Sequence, residues 1–94
     1  MTSQEVHYYY VYILLSLKDN RFYVGFTEDL VTRFHDHHAG RVRSTKYRLP
    51  VKLIHYEAYI DKSDAKAREV FLKSGFGREQ LRLSLKRTLL TYGL

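Results

Sequence analysis

The sequence contains neither cysteine nor tryptophan, and it has only one proline among its 94 residues. Without cysteine, a disulfide framework and a thiolate zinc site are both excluded, which fits a reducing compartment, and the cytoplasm is the expected location. The longest apolar run, from Tyr8 to Leu15, is much shorter than the roughly 20 residues that span a bilayer. No targeting segment precedes this run, so the sequence predicts no membrane anchor.

The apolar content is sufficient for one folded domain covering residues 1–94. Hydrophobic residues make up 45% of the chain and aromatic residues 15%, enough to bury a core without a metal or a disulfide. No repeat, low-complexity tract or linker divides the chain. Only residues 1–7 have the composition of a frayed terminus.

The charge is unevenly distributed. The net charge is +6, and residues 1–40 contribute −2 whereas residues 41–94 contribute +8. A basic half of this kind attracts polyanions through phosphate neutralisation and counterion release. Nucleic acid is therefore the leading partner, although acidic membrane surfaces or proteins are also partners of small basic domains.

The first part of the chain has the pattern of a β-hairpin. Residues 8–16 are mostly β-branched or aromatic and are apolar on both faces, which is typical of a central strand. A turn signal at 18–20 follows, and residues 21–26 return as a second strand. Apolar and polar residues alternate over 51–59, which predicts a third strand.

The first helix is predicted over residues 28–39. Thr27 has the residue type of an N-cap, and Gly40 stands at the left-handed position that follows a helix C-terminus. The segment 41–50 carries four basic side chains and ends at the only proline, so it is predicted to be an exposed loop.

Two further helices complete the predicted fold. One covers 64–74, with Ser63 as its N-cap and Gly75 at its end, and the other covers 78–91 with leucines on one stripe. The expected fold class is α+β: a small domain with a three-stranded antiparallel sheet flanked by helices, in the order ββαβαα.

Two tyrosines of the hairpin are predicted to be neighbours. Tyr12 and Tyr23 lie eleven residues apart, and an antiparallel pair joined by an even-length loop projects both from the same sheet face. Tyrosine is also a common strand residue, so simple packing is an alternative for either of them.

The first helix adds an arginine and a histidine to the candidates. Arg33 and His37 are four residues apart and share a helix face at the border of the buried stripe. A solvated helical edge is the alternative for such a pair. The run 35–38 contains three histidines and an aspartate, but neighbours one or two apart do not converge on a helix, which argues against zinc.

The second helix has a carboxylate on or beside its apolar stripe. Glu69 lies four residues after Ala65 and three before Leu72. An ion pair with Lys73 or Lys66 explains its position structurally, and a metal ligand is the functional alternative. We expect both this helix and the first one to cover the sheet face that carries the tyrosines.

These residues together resemble the GIY-YIG nuclease superfamily. Residues 10–12, Tyr-Val-Tyr, correspond to its first motif and residues 23–25, Tyr-Val-Gly, to its second, while Arg33, His37 and Glu69 correspond to its helical arginine, its histidine or tyrosine and its metal-binding glutamate. The resemblance runs from about Tyr9 to Arg87. It is closest to small stand-alone bacterial members with an "RxxST" loop, and more distant from the N-terminal nuclease domain of the excinuclease that acts in DNA repair.

The chain departs from the family pattern at three positions. Tyr10 replaces the first glycine, Phe26 stands where some members have a lysine, and His38 stands where an asparagine often follows the histidine. None of these changes removes a group to which the resemblance assigns chemistry.

The resemblance implies a metal-dependent endonuclease that hydrolyses a phosphodiester bond. Tyr23 would position or deprotonate the water, Tyr12 and His37 would support it, Arg33 would bind the phosphate, and Glu69 would hold one Mg²⁺ or Mn²⁺. A free phenol has a pKa near 10, so a tyrosine base requires a positive group that stabilises the phenolate.

The resemblance also implies a nucleic-acid surface, and we expect DNA cleaved with structural or weak sequence preference. Gly25 would allow close approach of the backbone to a phosphate, or helix packing. The alternatives are an inactive nucleic-acid-binding module of the same fold and a protein-interaction domain. The apolar residues Leu83, Leu90 and Tyr92 leave the choice between a monomer and a weak dimer open. The expected phosphate-binding residues are Arg41, Arg43, Lys46, Arg48, Lys73 and Arg78.

Overall fold

The computed structural model describes residues 6–94 and contains one antiparallel sheet with helices on both faces. Residues 1–5, which form most of the segment predicted to be frayed, lie outside the described residues. Among residues 6–94, no helix has the length and apolar character needed to cross a membrane. The strands are β1 (Tyr9–Ser16), β2 (Phe22–Thr27) and β3 (Val51–Tyr59), and the helices are α1 (Leu30–His38), α2 (Lys62–Lys73), α3 (Gly75–Ser84) and α4 (Lys86–Thr91).

The sheet order is β2-β1-β3, so the apolar strand predicted to be central is central. In its register, Tyr12 of β1 pairs with Gly25 of β2, and Leu14 pairs with Tyr23. Even-numbered residues of β1 therefore share one face with Tyr23 and Gly25, because successive side chains of a strand alternate between faces. The predicted α+β class and the order ββαβαα are confirmed, with the last predicted helix divided into α3 and α4.

The N-terminal ends of the first two helices differ from the prediction. Asp29, not Thr27, is the N-cap of α1, and its side chain accepts a hydrogen bond from the backbone N–H of Thr32. Asp61, not Ser63, caps α2. In both cases a second capping-type residue stands two positions away, and the chain uses the carboxylate.

The end of the chain is less regular than the single predicted helix over 78–91. Gly75 does not end a helix in the left-handed conformation; it begins α3, and Ser74 caps that helix through a hydrogen bond from the backbone N–H of Gly77. The helix is then interrupted at Leu85, and α4 follows. Gly40 does adopt the positive φ expected after α1, at 77°.

The helices cover both faces of the sheet, with α1 on one face and the other three helices on the opposite face. Leu30 and Phe34 of α1 pack on the face of Tyr12 and Leu14. The buried residues of α2, α3 and α4 pack on the other face, against the odd-numbered residues of β1. The expectation that α1 and α2 would both cover the tyrosine face is therefore wrong. Because β1 is apolar on both sides, its pattern does not distinguish which face each helix takes.

The loop over residues 41–50 is tied to the hairpin that joins β1 and β2. The backbone N–H of Leu17 donates to the carbonyl of Pro50 at 2.8 Å, and the Ser16 hydroxyl donates to the carbonyl of Arg48 at 2.6 Å. The Arg48 guanidinium in turn binds Asp19 at 3.0 Å. These contacts give the loop a fixed path beside the tyrosine face.

Candidate active site

Three aromatic rings pack against one another between the sheet and α1. The centroids of Tyr12 and Tyr23 are 6.3 Å apart, and the His37 ring lies 5.6 Å from the first and 5.0 Å from the second. Tyr12 and His37 are fully buried, whereas Tyr23 is half-buried. The two hairpin tyrosines are thus neighbours on one face, as their spacing predicts. His37, four residues after Arg33 on α1, joins them.

His37 makes a hydrogen bond through each ring nitrogen. Its Nε2 lies 2.7 Å from the Tyr12 hydroxyl, and its Nδ1 lies 2.7 Å from the Thr45 hydroxyl. Burial, together with the nearby Arg33 charge, lowers the pKa of His37 to about 4. The imidazole is therefore neutral at pH 7, with one ring nitrogen acting as donor and the other as acceptor.

Arg33 lies beside the phenol of Tyr12. Hydrogen bonding to this phenol raises the pKa of the Arg33 guanidinium, against the opposing effect of burial. Burial raises the pKa of Tyr12 to about 12, although Arg33 counteracts the increase. At neutral pH Tyr12 is consequently a protonated hydrogen-bonding group, and it is unsuited to act as a base.

Gly25 provides the space for the Tyr12 ring. A Cβ atom built on Gly25 would lie 2.3 Å from both Cζ and the hydroxyl oxygen of Tyr12. Neither of the two roles expected for this glycine, approach of a phosphate or packing of a helix, describes this contact. The glycine is required because the phenol crosses directly over β2 at that point.

Glu69 is mostly buried and is paired with two lysines of its own helix. Its carboxylate oxygens lie 2.9 Å from Lys73 Nζ and 3.5 Å from Lys66 Nζ, and its side chain is 13% exposed. Lys66 Nζ also lies 4.1 Å from the centroid of the Phe26 ring. Glu69 is therefore beside β2, the edge strand whose other face carries Tyr23. Lys66 also brings an ammonium group to Phe26, where some family members have a lysine.

The four-residue run of histidines and aspartate on α1 does not converge. Within residues 6–94, no three His, Cys, Asp or Glu side chains form a group that could hold a metal ion. A divalent ion at Glu69 would therefore have this carboxylate as its main protein ligand, with water and substrate oxygens completing the shell, an arrangement that suits Mg²⁺.

A groove of about 660 Å³ opens beside the aromatic cluster. Its lining includes three arginines, Arg33, Arg41 and Arg43, together with Ser44. Within the loop, the side chains of Val42 and Thr45 are buried, whereas those of Arg43 and Lys46 are exposed to solvent. Arg33 of α1 thus meets two of the loop cations, Arg41 and Arg43, at one concave surface whose positive charge suits a phosphate backbone.

Three of the cations expected to bind phosphate are already held by the protein, and a fourth, Arg41, is paired with Asp36 at the surface. Arg48 binds Asp19, and both Arg48 and Arg78 donate to the carbonyl of Phe22, at 3.4 and 3.0 Å. Lys73 is occupied by Glu69. Arg48 and Arg78 thus connect the loop and α3 to β2, and the Lys73 pair lies within α2, so the first role of all three side chains is structural.

The sequence interpretation did not identify two groups of interacting residues. Thr45 and Ser44 contact the aromatic cluster through their hydroxyls, the latter donating to the Tyr23 oxygen at 3.3 Å. The "RxxST" similarity covers both residues and was the only signal for them. On the opposite face, Glu57 accepts hydrogen bonds from Arg68 and Tyr59; no motif pointed to this cluster.

Comparisons with known proteins agree with the fold described above. Residues 8–82 match the family model described as the GIY-YIG catalytic domain. The chain belongs to the GIY-YIG family, and its class is that of the nuclease domains.

Within this family, the chain is similar to small bacterial proteins named UPF0213. It is 44% identical to one from Lacticaseibacillus paracasei over 66 residues, which are 69% of this chain and 73% of the relative. It is 39% identical to one from Listeria monocytogenes over 74 residues, 78% of this chain and 80% of the relative. The solution NMR structure of a UPF0213 protein from Bacillus halodurans is 36% identical and has a TM-score of 0.53, over 84% of this chain and 85% of the other.

Proposed function

We propose that the chain is a divalent-metal-dependent endonuclease that hydrolyses phosphodiester bonds of DNA, with structural or weak sequence preference. The observation that supports the proposal most directly is the packing of Tyr12, Tyr23 and His37 beside an arginine-lined groove. We propose the cytoplasm as its location and a monomer or weak dimer as its state.

The aromatic cluster divides the roles between the two tyrosines. Tyr12 is protonated and hydrogen-bonded to His37, so it orients its neighbours and does not act as the base. Tyr23 is half-exposed and lies next to the groove, which makes it the residue that positions or deprotonates the attacking water. Arg33 binds the phosphoryl oxygens and stabilises the charge that develops on them.

Glu69 is the proposed ligand of one Mg²⁺ or Mn²⁺. Its carboxylate has the ligand chemistry suited to a hard cation, and a cation bound there would compete with both lysine contacts. When bound, the ion would stabilise negative charge at the phosphate. The released ammonium groups of Lys66 and Lys73 would then be available to the nucleic-acid backbone.

The exposed loop cations are the proposed contacts to the sugar-phosphate backbone. Arg41, Arg43 and Lys46 are exposed, unlike Arg48 and Arg78. The slope of log binding constant against log salt concentration should therefore decrease by about one for Arg43→Ala. The same slope should be unchanged for Lys86→Ala, which removes an exposed cation from α4.

The pairing of Glu69 with two lysines favours one alternative, an inactive nucleic-acid-binding module of the same fold. A carboxylate neutralised in this way can serve as a structural ion pair. The two functions differ in whether DNA is cut and in whether a metal ion binds at Glu69.

Cleavage of labelled flapped, branched and plain duplexes with Mg²⁺, Mn²⁺ or EDTA tests the proposal. Cleavage should require the metal and should decrease about 100-fold or more in Tyr23→Phe, Arg33→Ala and Glu69→Gln, while DNA binding by Tyr23→Phe and Glu69→Gln is retained. Paramagnetic line broadening by Mn²⁺ should centre on Glu69 and disappear in Glu69→Gln.

Matched variants outside the cluster serve as controls. Tyr92→Phe at the C-terminal end, Arg87→Ala on α4 and Glu79→Gln on α3 make the same chemical changes elsewhere. Each of these variants should cut at the rate of the parent protein. DNA binding without cutting by the parent protein, unaffected by Glu69→Gln, would instead establish the binding module.

A further inference from the structure

Two adjacent hydroxyls of the loop lie against the aromatic cluster and have no part in the chemistry proposed above. The Thr45 hydroxyl lies 2.7 Å from Nδ1 of His37, and the Ser44 hydroxyl donates to the Tyr23 oxygen at 3.3 Å. Thr45 is completely buried although it lies in a polar loop. A buried hydroxyl is unfavourable unless it is hydrogen-bonded, so the contact with His37 is a specific requirement of this position.

The two hydrogen bonds of His37 are coupled through its tautomer. Neutral imidazole carries one N–H and one free lone pair, so the proton can be on Nδ1 or on Nε2. A proton on Nδ1 is donated to Thr45, and Nε2 then accepts the proton of the Tyr12 phenol. A proton on Nε2 reverses both bonds, and the Tyr12 oxygen becomes the acceptor.

Arg33 distinguishes the two arrangements. Its guanidinium lies beside the Tyr12 phenol, and a guanidinium can only donate hydrogen bonds. The positive charge of Arg33 favours the orientation in which the phenol turns its oxygen lone pairs toward the guanidinium and its proton toward Nε2 of His37, at 2.7 Å. This arrangement requires the proton of the imidazole to be on Nδ1, where Thr45 accepts it.

We propose that Thr45 is a positioning residue, whose hydroxyl holds His37 as the Nδ1–H tautomer so that Nε2 orients the phenol of Tyr12. The catalytic consequence rests on the proposed function, whereas the tautomer does not. Because Ser44 contacts Tyr23 and the next residue contacts His37, one turn of the loop fixes the aromatic cluster from the outside. Exposed cations, Arg43 and Lys46, flank this turn.

The tautomer can be measured directly in protein labelled with ¹⁵N-histidine. Long-range ¹H–¹⁵N correlation spectra at pH 7 should show His37 with a protonated Nδ1 and an unprotonated Nε2 in the parent protein. Thr45→Ser keeps the hydroxyl and should keep this pattern. Thr45→Val has nearly the same shape without an acceptor, and its Nε2 should become protonated. Thr88→Val on α4 makes the same chemical change elsewhere and should have no effect.

The cleavage rate provides the second measurement. Thr45→Val should lower kcat about 10- to 100-fold with little change in KM, a decrease of the size seen when groups that orient reactive residues are removed. Thr45→Ser should keep most of the rate. If only the volume of the side chain mattered, the smaller serine would lower the rate and the valine of similar shape would not.

Two results would overturn the inference. One is a protonated Nε2 in the parent protein, and this result does not depend on whether Thr45→Val folds. The other is an unchanged tautomer in a folded Thr45→Val. If the parent protein cuts no DNA but its tautomer changes in Thr45→Val, the positioning role stands and the proposed nuclease function fails.

Discussion

At the scale of single residues, the contact between Gly25 and Tyr12 determines the geometry of the aromatic cluster. Gly25 and Tyr12 are paired in the register of β1 and β2, and the phenol lies where any side chain at position 25 would be. The ring can reach His37 only because this position has no Cβ. The glycine is thus part of the geometry that the proposed chemistry needs.

Gly25→Ala should therefore destabilise the fold and displace the phenol. The added methyl group would lie 2.3 Å from the ring, and inserting such a group into a packed region costs about 1–3 kcal/mol. Urea unfolding measures the loss of stability. Gly75→Ala is the matched control, since a Cβ there has no neighbour within 4 Å, and it should leave the free energy of unfolding nearly unchanged. Equal effects of the two substitutions would contradict this account of Gly25.

The sequence predicted part of this site and lacked the information for the rest. The even length of the hairpin loop placed Tyr12 and Tyr23 on one face, and the four-residue spacing placed Arg33 with His37. The buried position of Thr45 was not predictable, because a loop has no periodicity that separates inward from outward residues. The metal-binding role of Glu69 stays a prediction.

At the scale of elements, an ion-pair cluster joins β3 to α2 on the face opposite the tyrosines. Arg68 of α2 donates to both carboxylate oxygens of Glu57 on β3, at 2.9 and 3.3 Å, and Tyr59 donates at 2.6 Å. Burial alone would raise the pKa of Glu57, but the hydrogen bonds from Arg68, Tyr59 and His55 outweigh it and lower the pKa to about 2.

A double-mutant cycle with Glu57→Gln and Arg68→Met should give a coupling free energy of about 1–3 kcal/mol, because this pair is partly buried and hydrogen-bonded through two oxygens. The same cycle with Asp36→Asn and Arg41→Met examines a more exposed ion pair, whose coupling should be below about 1 kcal/mol. Chemical denaturation of the six variants supplies both values. A smaller coupling for the first pair than for the second would disprove the assigned role.

The elements themselves followed from the sequence more completely than their arrangement. The capping-type residues and glycines located α1 and α2, although each helix uses an aspartate two residues from the predicted cap. The interruption at Leu85 was not predictable, because neither glycine nor proline marks it. The side of the sheet taken by α2 depends on packing of an apolar strand with two similar faces, which local pattern does not encode.

At the scale of the whole molecule, two groups give the stability a pH dependence in two separate windows. The folded pKa of His37, about 4, is below its ordinary value of 6.5, so the unfolded chain binds this proton more tightly. The free energy of unfolding should therefore decrease as the pH falls from about 6.5 to 4, on the order of 3 kcal/mol. Glu57, with a pKa of about 2 against 4.5, adds a loss between pH 4.5 and 2.

Urea unfolding at a series of pH values from 7.5 to 2.5 measures both windows. His37→Gln should remove the dependence between pH 6.5 and 4 and leave the lower window. Glu57→Gln should leave the upper window and reduce the lower one, to which Asp19 and Asp29 also contribute through their lowered pKa. His38→Gln, which changes an exposed histidine of the same helix, should keep both. A flat stability curve between pH 6.5 and 4 in the parent protein would show that His37 is not held neutral by the fold.

The attachment of the loop to the hairpin has a consequence for the thermodynamics of association. The loop is bonded near its end by Ser16 and Leu17, and near its middle through Thr45. A segment with these attachments has already lost most of its conformational freedom during folding. Little additional ordering entropy is then lost when its cations meet a phosphate backbone, and the favourable entropy of counterion release is retained in the binding free energy.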